Sequence, residues 1–442
     1  MTRPINADLP VSRPDQKTAK RSKAPKGPKP NAPKRRRKPV PTALKAVAGL
    51  FVLAIVFIVA AILGGGGANE SEAPEAPAPI GEAAENPAEA PAAQTPDELG
   101  YPAFATANTT RVGGSDPASN AAGVALAAYP STTPSQQPAA AIVVDGGDWS
   151  SAIAASVLVA APIGAPVLVS EADSVPDPTE EALDALDPQG GKATKGVQAF
   201  TVGAAEAPSG LATKRVGTAG GAAAAGEIAE LREELLGHAP EHIVIAPSAQ
   251  PAFAMPAAAW AARSGDPVLF AGEDELPGPT AKVLKRHPKT PVYVLSPSSA
   301  ISSDVVRRIG TISKRVRRVS GEDPVANAIA FARYADGDFG WNVNDPGHGF
   351  VVARSEDPLD AAAAAPLSAS GTWGPLLLTD SADTLPAAVR GYLLDVKPGY
   401  TTDPTRAFYN HVWVIGDQDA IGVSEQAEID ELAELTKIGG GE

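Results

Sequence analysis

The stretch GPLLL, residues 374–378, places a proline directly before three leucines. Proline has no backbone N–H, so within a sheet it is confined to edge strands, bulges and the first residue of a strand. The stretch therefore predicts a buried strand that begins at the proline. The pattern occurs twice more, as APVLV at 165–169 and DPVLF at 266–270. This recurrence predicts a structural unit that is built three times.

A second recurring sequence, which we call the Arg-Val motif, gives the length of that unit. Its three copies are TRVGG at 110–114, KRVGT at 214–218 and RRVSG at 317–321. Their arginines, Arg111, Arg215 and Arg318, are 104 and 103 residues apart. After each copy come an Ala-rich segment, an apolar run, a second Ala-rich segment, the proline-plus-aliphatic stretch, a polar segment and another apolar run. We therefore predict tandem repeats of roughly 105 residues.

The apolar runs indicate the fold class. The runs after the first Ala-rich segments are AIVVD (141–145), HIVIA (242–246) and GFVVA (349–353), and the closing runs are AFTVG (199–203), VYVLS (292–296) and VWVIG (412–416). Continuous aliphatic runs, without strict alternation, are typical of strands covered on both faces. Strands that alternate with helices favour βαβ units. We predict an α/β fold of three tandem Rossmann-like repeats with parallel sheets, at 109–213, 214–316 and 317–432, followed by a short tail at 433–442.

The first quarter of the chain has a different composition. Residues 1–45 hold fourteen Lys or Arg against two Asp, about +12, so the remainder of a chain of net charge −14 carries about −26. Such a Lys- and Pro-rich segment cannot bury enough apolar surface to fold, and we predict a disordered tail. Residues 46–63 are apolar and uncharged, which predicts a transmembrane helix. Residues 64–108, rich in Pro, Ala and Glu, predict a disordered linker.

Flanking charge sets the orientation of the apolar segment. The cluster KRRRK at 34–38 precedes residues 46–63, and an acidic segment follows. Positive flanks stay on the cytoplasmic side, so we predict a single-pass protein of the cell membrane with a cytoplasmic N-terminus and its C-terminal repeats outside. Small residues at Gly66 and Ala68 leave cleavage open as an alternative to an uncleaved anchor.

With these features, the sequence resembles the cell wall-binding repeat 2 family of Gram-positive surface proteins. The resemblance rests on the three Arg-Val motifs, the apolar runs and the proline-plus-aliphatic stretches, which match the P-I-L-L signature of the family, and it covers about 109–432. It implies three modules around a pseudo-threefold axis that bind an anionic wall polymer noncovalently. The Arg-Val motifs depart from the family by lacking its Asn-Arg-Tyr continuation, and an Asp of the family's second helix is present only as Asp360.

The sequence contains no motif for catalysis or for a cofactor. G-x-S-x-G, a Walker loop, H-E-x-x-H and C-x-x-C are all absent, and the chain has no cysteine. His238 and His242 have the i, i+4 spacing of a metal pair, but Pro240 between them breaks the helix that this spacing needs. We therefore expect a noncatalytic binding protein with no metal and no cofactor.

Basic residues in the acidic exported part are candidates for polymer binding. They are Arg307, Arg308, Lys314, Arg315 and Arg317. The planar fork of arginine suits carboxylate and phosphate groups, which anionic wall polymers present. Arg318 is left out because its place in the Arg-Val motif suggests a structural role. Nucleic acid is not expected as a partner, since the exported part is acidic.

An alternative site lies in the third repeat. Asp345 and His348 belong to a long insertion, and Asp357, Asp360 and His411 follow in the same repeat. Open α/β sheets hold ligands at the carboxyl ends of their strands. If these five side chains converge there, the protein would be a cell-surface small-ligand binding protein or a hydrolase.

Overall fold

The computed structural model describes residues 104–369 and 373–438 of the 442-residue chain, all within one compact unit. The predicted basic tail (1–45), the predicted transmembrane helix (46–63) and nearly all of the predicted linker lie outside the described residues. In the described part of the chain, no helix has both the length and the apolar character needed to cross a membrane.

Strands and helices alternate along the described residues. The first third contains β1 (Phe104–Ala105), β2 (Thr109–Val112), α1 (Pro117–Ala128), β3 (Ala141–Asp145), α2 (Trp149–Ala155), β4 (Val167–Ser170), α3 (Asp177–Leu186) and β5 (Ala199–Val202). The second contains β6 (Thr213–Val216), α4 (Gly221–Leu236), β7 (Ile243–Pro247), α5 (Pro251–Ser264), β8 (Val268–Ala271), α6 (Gly278–Arg286), β9 (Val292–Leu295) and α7 (Ser303–Ile312). The last contains β10 (Val316–Val319), α8 (Pro324–Arg333), β11 (Gly349–Arg354), α9 (Pro358–Ala363), α10 (Ala365–Ala369), β12 (Leu376–Thr379), α11 (Ala387–Asp395), β13 (Gly399–Tyr400), β14 (His411–Ile415), α12 (Val423–Ala433) and β15 (Thr436–Lys437).

The proline-plus-aliphatic stretches are edge strands, and each begins directly after its proline. β4, β8 and β12 each occupy one edge of a parallel sheet. Although Pro375 donates nothing, its carbonyl accepts from Val351 N at 3.1 Å, and Pro166 and Pro267 accept in the same way. The leucines of β12 are at most 1% exposed. The prediction of buried strands that begin at the proline is confirmed.

Three sheets share one strand order, with the proline strand at one edge and the strands of the two apolar runs beside it. The orders are β4-β3-β5-β6, β8-β7-β9-β10 and β12-β11-β14-β2, the last extended by the antiparallel β1. Neighbouring strands within each four-strand set are parallel. The predicted α/β fold with Rossmann-like parallel sheets is confirmed.

Each Arg-Val motif lies on a strand that pairs with the closing strand of another repeat. β6 and β10 pair with the closing strands that precede them, β5 and β9. β2, at the start of the described chain, pairs with β14 near its end, from Val412↔Thr109 to Ile415↔Val112. The three repeats are therefore linked in a closed ring, because each contributes one strand to the sheet of another repeat. The predicted repeat boundaries at 213/214 and 316/317 fall within β6 and β10 and stay a prediction.

The second Ala-rich helices form the centre of this ring. α2, α5 and α9 contact one another in all three pairs, an arrangement consistent with the pseudo-threefold packing that the family resemblance implies. Their facing residues are mostly alanines that are almost fully buried. Small side chains let helix axes approach closely, which explains the Ala-rich composition of these segments.

Candidate functional site

The predicted polymer-binding residues lie together on the second sheet and its last helix. α7 begins at the cap Ser302, buries Val305 and Ile309, and turns Arg307 and Arg308 outward. Lys314, Arg315 and Arg317 follow on the loop and on the edge strand β10, and all five basic side chains are exposed. We call these five residues the basic surface.

The basic surface keeps an excess of positive charge after its internal pairs are counted. Arg307 pairs with Asp304, while Arg317 contacts Asp336 at 2.6 Å and Arg315 reaches the same carboxylate at 4.0 Å. Arg308 donates only to the backbone carbonyl of Asp274, at 3.3 Å. Five cations thus share two carboxylates, which leaves an excess of three positive charges on this surface within the described residues.

The arginines of the Arg-Val motifs have a structural role, because their guanidinium groups donate hydrogen bonds to backbone carbonyls. Arg318 donates to the carbonyls of Ser296 at 2.6 Å and Ile301 at 2.7 Å, in the loop after β9. Arg215 donates to the carbonyl of Gly203 at 2.8 Å, after β5. These contacts confirm the structural role expected of Arg318.

Arg111 makes the most extensive set of such contacts. Its guanidinium donates to the carbonyls of Gly416 at 2.9 Å, Asp417 at 2.6 Å and Ile421, and its Nε donates to Gln426 at 3.0 Å. The side chain is almost fully buried, at 2% exposure. Arg111 therefore fixes the loop after β14 where the ring of repeats closes.

The five residues of the alternative site lie at opposite ends of the third sheet. His348 precedes β11 and His411 opens β14, so both lie at the amino ends of these strands, with Asp345 3.4 Å from His348. Asp357 and Asp360 lie beyond the carboxyl end of β11. The six residues of β11 separate the two groups by roughly 20 Å, at ~3.3 Å per residue. The structure does not bring these five side chains into one pocket.

Asp360 is nevertheless an unusual carboxyl group. It is 2% exposed, and Asn120 of α1 donates Nδ2 to its Oδ1 at 2.9 Å. Burial raises the pKa of Asp360 to about 7, against the opposing effect of this hydrogen bond. Counted from the start of each second helix, its counterparts are Ser151 and Phe253. The acid is therefore specific to the contact between the third and first repeats.

Sequence reasoning missed a cleft between the second and third repeats. It has a volume of ≈ 430 Å³ and includes Trp341 of the long insertion, Trp373 before β12 and Arg263 of α5. The available signal was that two of five tryptophans flank the segments peculiar to the third repeat. Within residues 104–369 and 373–438, no group of three or more His, Asp or Glu residues is placed to hold a metal ion.

Comparisons with known proteins agree with this architecture. The family described as Cell wall binding domain 2 (CWB2) matches residues 318–427, which covers nearly all of the predicted third repeat. No curated protein matches the sequence. Among solved structures, Cwp6 from Clostridium difficile superposes with a TM-score of 0.57 at 18% identity, and Cwp8 from the same organism with 0.54 at 19% identity.

These two likenesses concern the fold. Each covers 74% of this chain, which spans about half of the other protein, 48% of Cwp6 and 52% of Cwp8. The sequence match is confined to the third repeat, while the same strand order recurs in the first two. Residues 318–427 match the Cell wall binding domain 2 family.

Proposed function

We propose that this protein is anchored in the cell membrane and binds the cell wall noncovalently, outside the cytoplasm, through an anionic wall polymer. The family match at 318–427 supports wall binding. The observation that carries the choice of polymer is the basic surface, with three positive charges in excess of its carboxylate partners. The protein acts in this proposal as a binding module and not as an enzyme.

The charge balance of the chain explains why the basic surface matters. Everything after residue 45 carries about −26, so the exported part as a whole is repelled by an anionic polymer. Binding then requires positive charge concentrated locally. Arg308, Arg315 and Arg317 offer exposed guanidinium groups of the kind that bind carboxylate and phosphate with paired hydrogen bonds.

The membrane anchor is the second part of the proposal. The apolar residues 46–63 follow the cluster at 34–38, and an acidic segment comes after them. This distribution supports a cytoplasmic tail and repeats that face the wall. The segment at 64–108 would then hold the repeats away from the membrane surface.

Sedimentation with purified cell walls tests the choice of polymer. The full-length chain in a non-ionic detergent is mixed with isolated walls, before and after their anionic polymers are removed chemically. We expect the chain to sediment with intact walls and to stay in solution with stripped walls. Equal sedimentation with both would contradict an anionic polymer as the ligand.

A further inference from the structure

The cleft between the second and third repeats is lined by none of the five residues of the basic surface. Glu241 and His242 precede β7, Arg263 is on α5, and Trp341 and Trp373 come from the third repeat. Its ≈ 430 Å³ falls in the range of small-ligand pockets, roughly 300–1,000 Å³. A ligand in this space would contact both repeats at once.

The segment that brings Trp341 to the cleft is firmly anchored. Phe339, two residues earlier, stacks on Tyr293 with ring centroids 3.5 Å apart and planes 4° from parallel. Phe339 also meets Trp260 edge-on at 5.0 Å, and a backbone bridge joins Asp336 to Phe339. The wall of the cleft is therefore set before any ligand arrives, which lowers the entropic cost of binding.

Aromatic rings form one side of the cleft. The rings of Trp341 and Trp373 lie 6.3 Å apart with planes 29° from parallel, and Trp260 meets Trp341 edge-on at 5.4 Å. Trp373 is partly exposed, whereas Trp341 is 5% exposed. An accessible indole beside a buried one offers an apolar surface for the C–H face of a flat ligand ring.

Two hydrogen-bond donors of the cleft have no acceptor within the described residues. Trp341 Nε1 is buried without a partner. The Arg263 guanidinium lies 4.0 Å from the centre of the Trp373 ring, and in residues 104–369 and 373–438 it has neither an ion pair nor a hydrogen bond. Both groups only donate, so a ligand there must supply acceptor oxygens.

Carboxylates also line this cleft, and a ligand that binds them must donate hydrogen bonds. Glu241 and Asp338 line it. Asp266 also lines it, but its Oδ2 already accepts a hydrogen bond from Trp260 Nε1 at 2.9 Å and lies 3.2 Å from His242 Nδ1. Burial lowers the pKa of His242, but the Asp266 hydrogen bond and the charges of Asp266, Glu241 and Asp338 outweigh it and raise the value. The three carboxylates disfavour an anion.

We propose that this cleft binds a neutral pyranose unit of a saccharide. A hydroxyl group both donates and accepts, so it can receive from Trp341 and Arg263 while it donates to Glu241 and Asp338. The apolar face of a pyranose ring fits against Trp373. The residues of this site differ from those of the basic surface, and its ligand is neutral where the proposed polymer is anionic. An experiment can therefore contradict one of the two proposals and leave the other standing.

Titration of the full-length chain in a non-ionic detergent, followed by tryptophan fluorescence, tests the site. The probes are the neutral trisaccharides chitotriose, cellotriose and maltotriose, with trigalacturonate as the acidic comparison. We expect saturable binding of at least one neutral probe at millimolar concentration and weaker binding of trigalacturonate. No response to any neutral probe up to about 20 mM, or tighter binding of trigalacturonate, would overturn the proposal.

Variants connect the signal to the cleft. Trp373→Ala removes the accessible ring, and we expect the dissociation constant to rise about tenfold or more. Trp341→Phe keeps a ring but removes the N–H, and Asp338→Ala removes an exposed carboxylate without touching the core; each should weaken binding ~5-fold. Trp413→Phe, on β14, is the control and should bind like the parent. Parent-like binding by both Asp338→Ala and Trp341→Phe would place the saccharide elsewhere.

A second arm identifies the source of the saccharide. At 1 M salt the basic surface is screened over about 3 Å, so wall retention then depends on other contacts. If the pyranose belongs to the wall, Trp373→Ala lowers retention at high salt. If it comes from a free oligosaccharide, retention is unchanged while the titration still shows binding. Both outcomes support the cleft as a pyranose site and differ only in the origin of the ligand.

Discussion

Asn120 in α1 donates its Nδ2 to Oδ1 of Asp360 in α9 at 2.9 Å, and this bond joins residues 240 positions apart. Oδ1 of the same asparagine accepts from Gly114 N, which ties the first Arg-Val motif to the third repeat. Asn327 stands at the corresponding place after the third Arg-Val motif, but its Nδ2 is buried without a partner in the described residues. In both places an asparagine side chain accepts from a backbone N–H after the Arg-Val motif, but only Asn120 has a partner for its Nδ2.

The protonation of Asp360 makes stability depend on pH. Its pKa is about 7 in the folded chain and ~3.9 when unfolded, so the folded state holds the proton more tightly. The associated stability is complete below pH ~4 and is lost as pH rises through about 7. Asp360→Asn should therefore be more stable than the parent at pH 8, by up to about 4 kcal/mol, as measured by urea unfolding.

Two controls accompany this variant. Burial also raises the pKa of Glu425 to about 7, so the single variant should flatten the pH profile only in part, and Asp360→Asn with Glu425→Gln should flatten it further. Asp345→Asn, with a side chain 80% exposed, should follow the parent. An Asp360→Asn chain that loses stability between pH 5 and 8 as steeply as the parent would contradict this assignment.

Arg111 should matter far more than its counterpart in the second Arg-Val motif. Arg111→Gln leaves the carbonyls of Gly416, Asp417 and Ile421 without their donor, which we expect to cost about 3 kcal/mol. Arg215→Gln removes one bond from an exposed side chain and should cost less than about 1 kcal/mol. Chemical unfolding measures both, and equal effects would show that Arg111 does not close the ring.

Leu377 tests the buried proline strand. Leu377→Asp places a carboxylate at a position with no exposure and no polar partner, so we expect the free energy of unfolding to fall by more than about 4 kcal/mol. The control is Leu394→Asp, where the parent side chain is 52% exposed and little change is expected. Thermal unfolding of the two variants should differ strongly, and similar melting temperatures would mean that β12 is not part of the core.

Topology can be read with reporter fusions. A reporter that is active only outside the cytoplasm should be active when fused after Glu442 and inactive when fused before Met1, because the cluster at 34–38 stays inside. Activity at the N-terminal fusion alone would reverse the proposed orientation.

Local sequence patterns predicted most of the fold. Proline followed by aliphatic residues identified β4, β8 and β12 because the missing N–H and the buried side chains both act within a few residues. The pairing of β2 with β14 was not predictable, since a four-residue strand carries no signal about a partner some 300 residues away. The Arg-Val motifs were recognised as repeated sequence but not as strands.

The site was predicted less completely. The basic surface could be read from the sequence because its residues are close together along the chain. The alternative site could not, since the sequence does not show that His348 and His411 lie at the amino ends of strands while Asp357 and Asp360 follow a carboxyl end. The cleft beside Trp341 combines segments more than 70 residues apart, and only the fold brings these together.

Retention on isolated cell walls as a function of salt tests the central claim most directly. The test variant replaces four exposed arginines of the basic surface, Arg307, Arg308, Arg315 and Arg317, with serine. The control removes the same charge from other exposed places, at Lys192, Lys195, Arg406 and Lys437. Unchanged thermal unfolding of both confirms that they remain folded.

With about 0.15 M salt, we expect the test variant to be retained about tenfold less than the parent and the control to be retained normally, at ~0.3–1 kcal/mol for each exposed contact. Retention of the parent should fall towards that of the test variant as salt approaches 1 M, where charges are screened over about 3 Å. A folded test variant that sediments with walls as well as the parent does, at every salt concentration, would contradict binding through the basic surface.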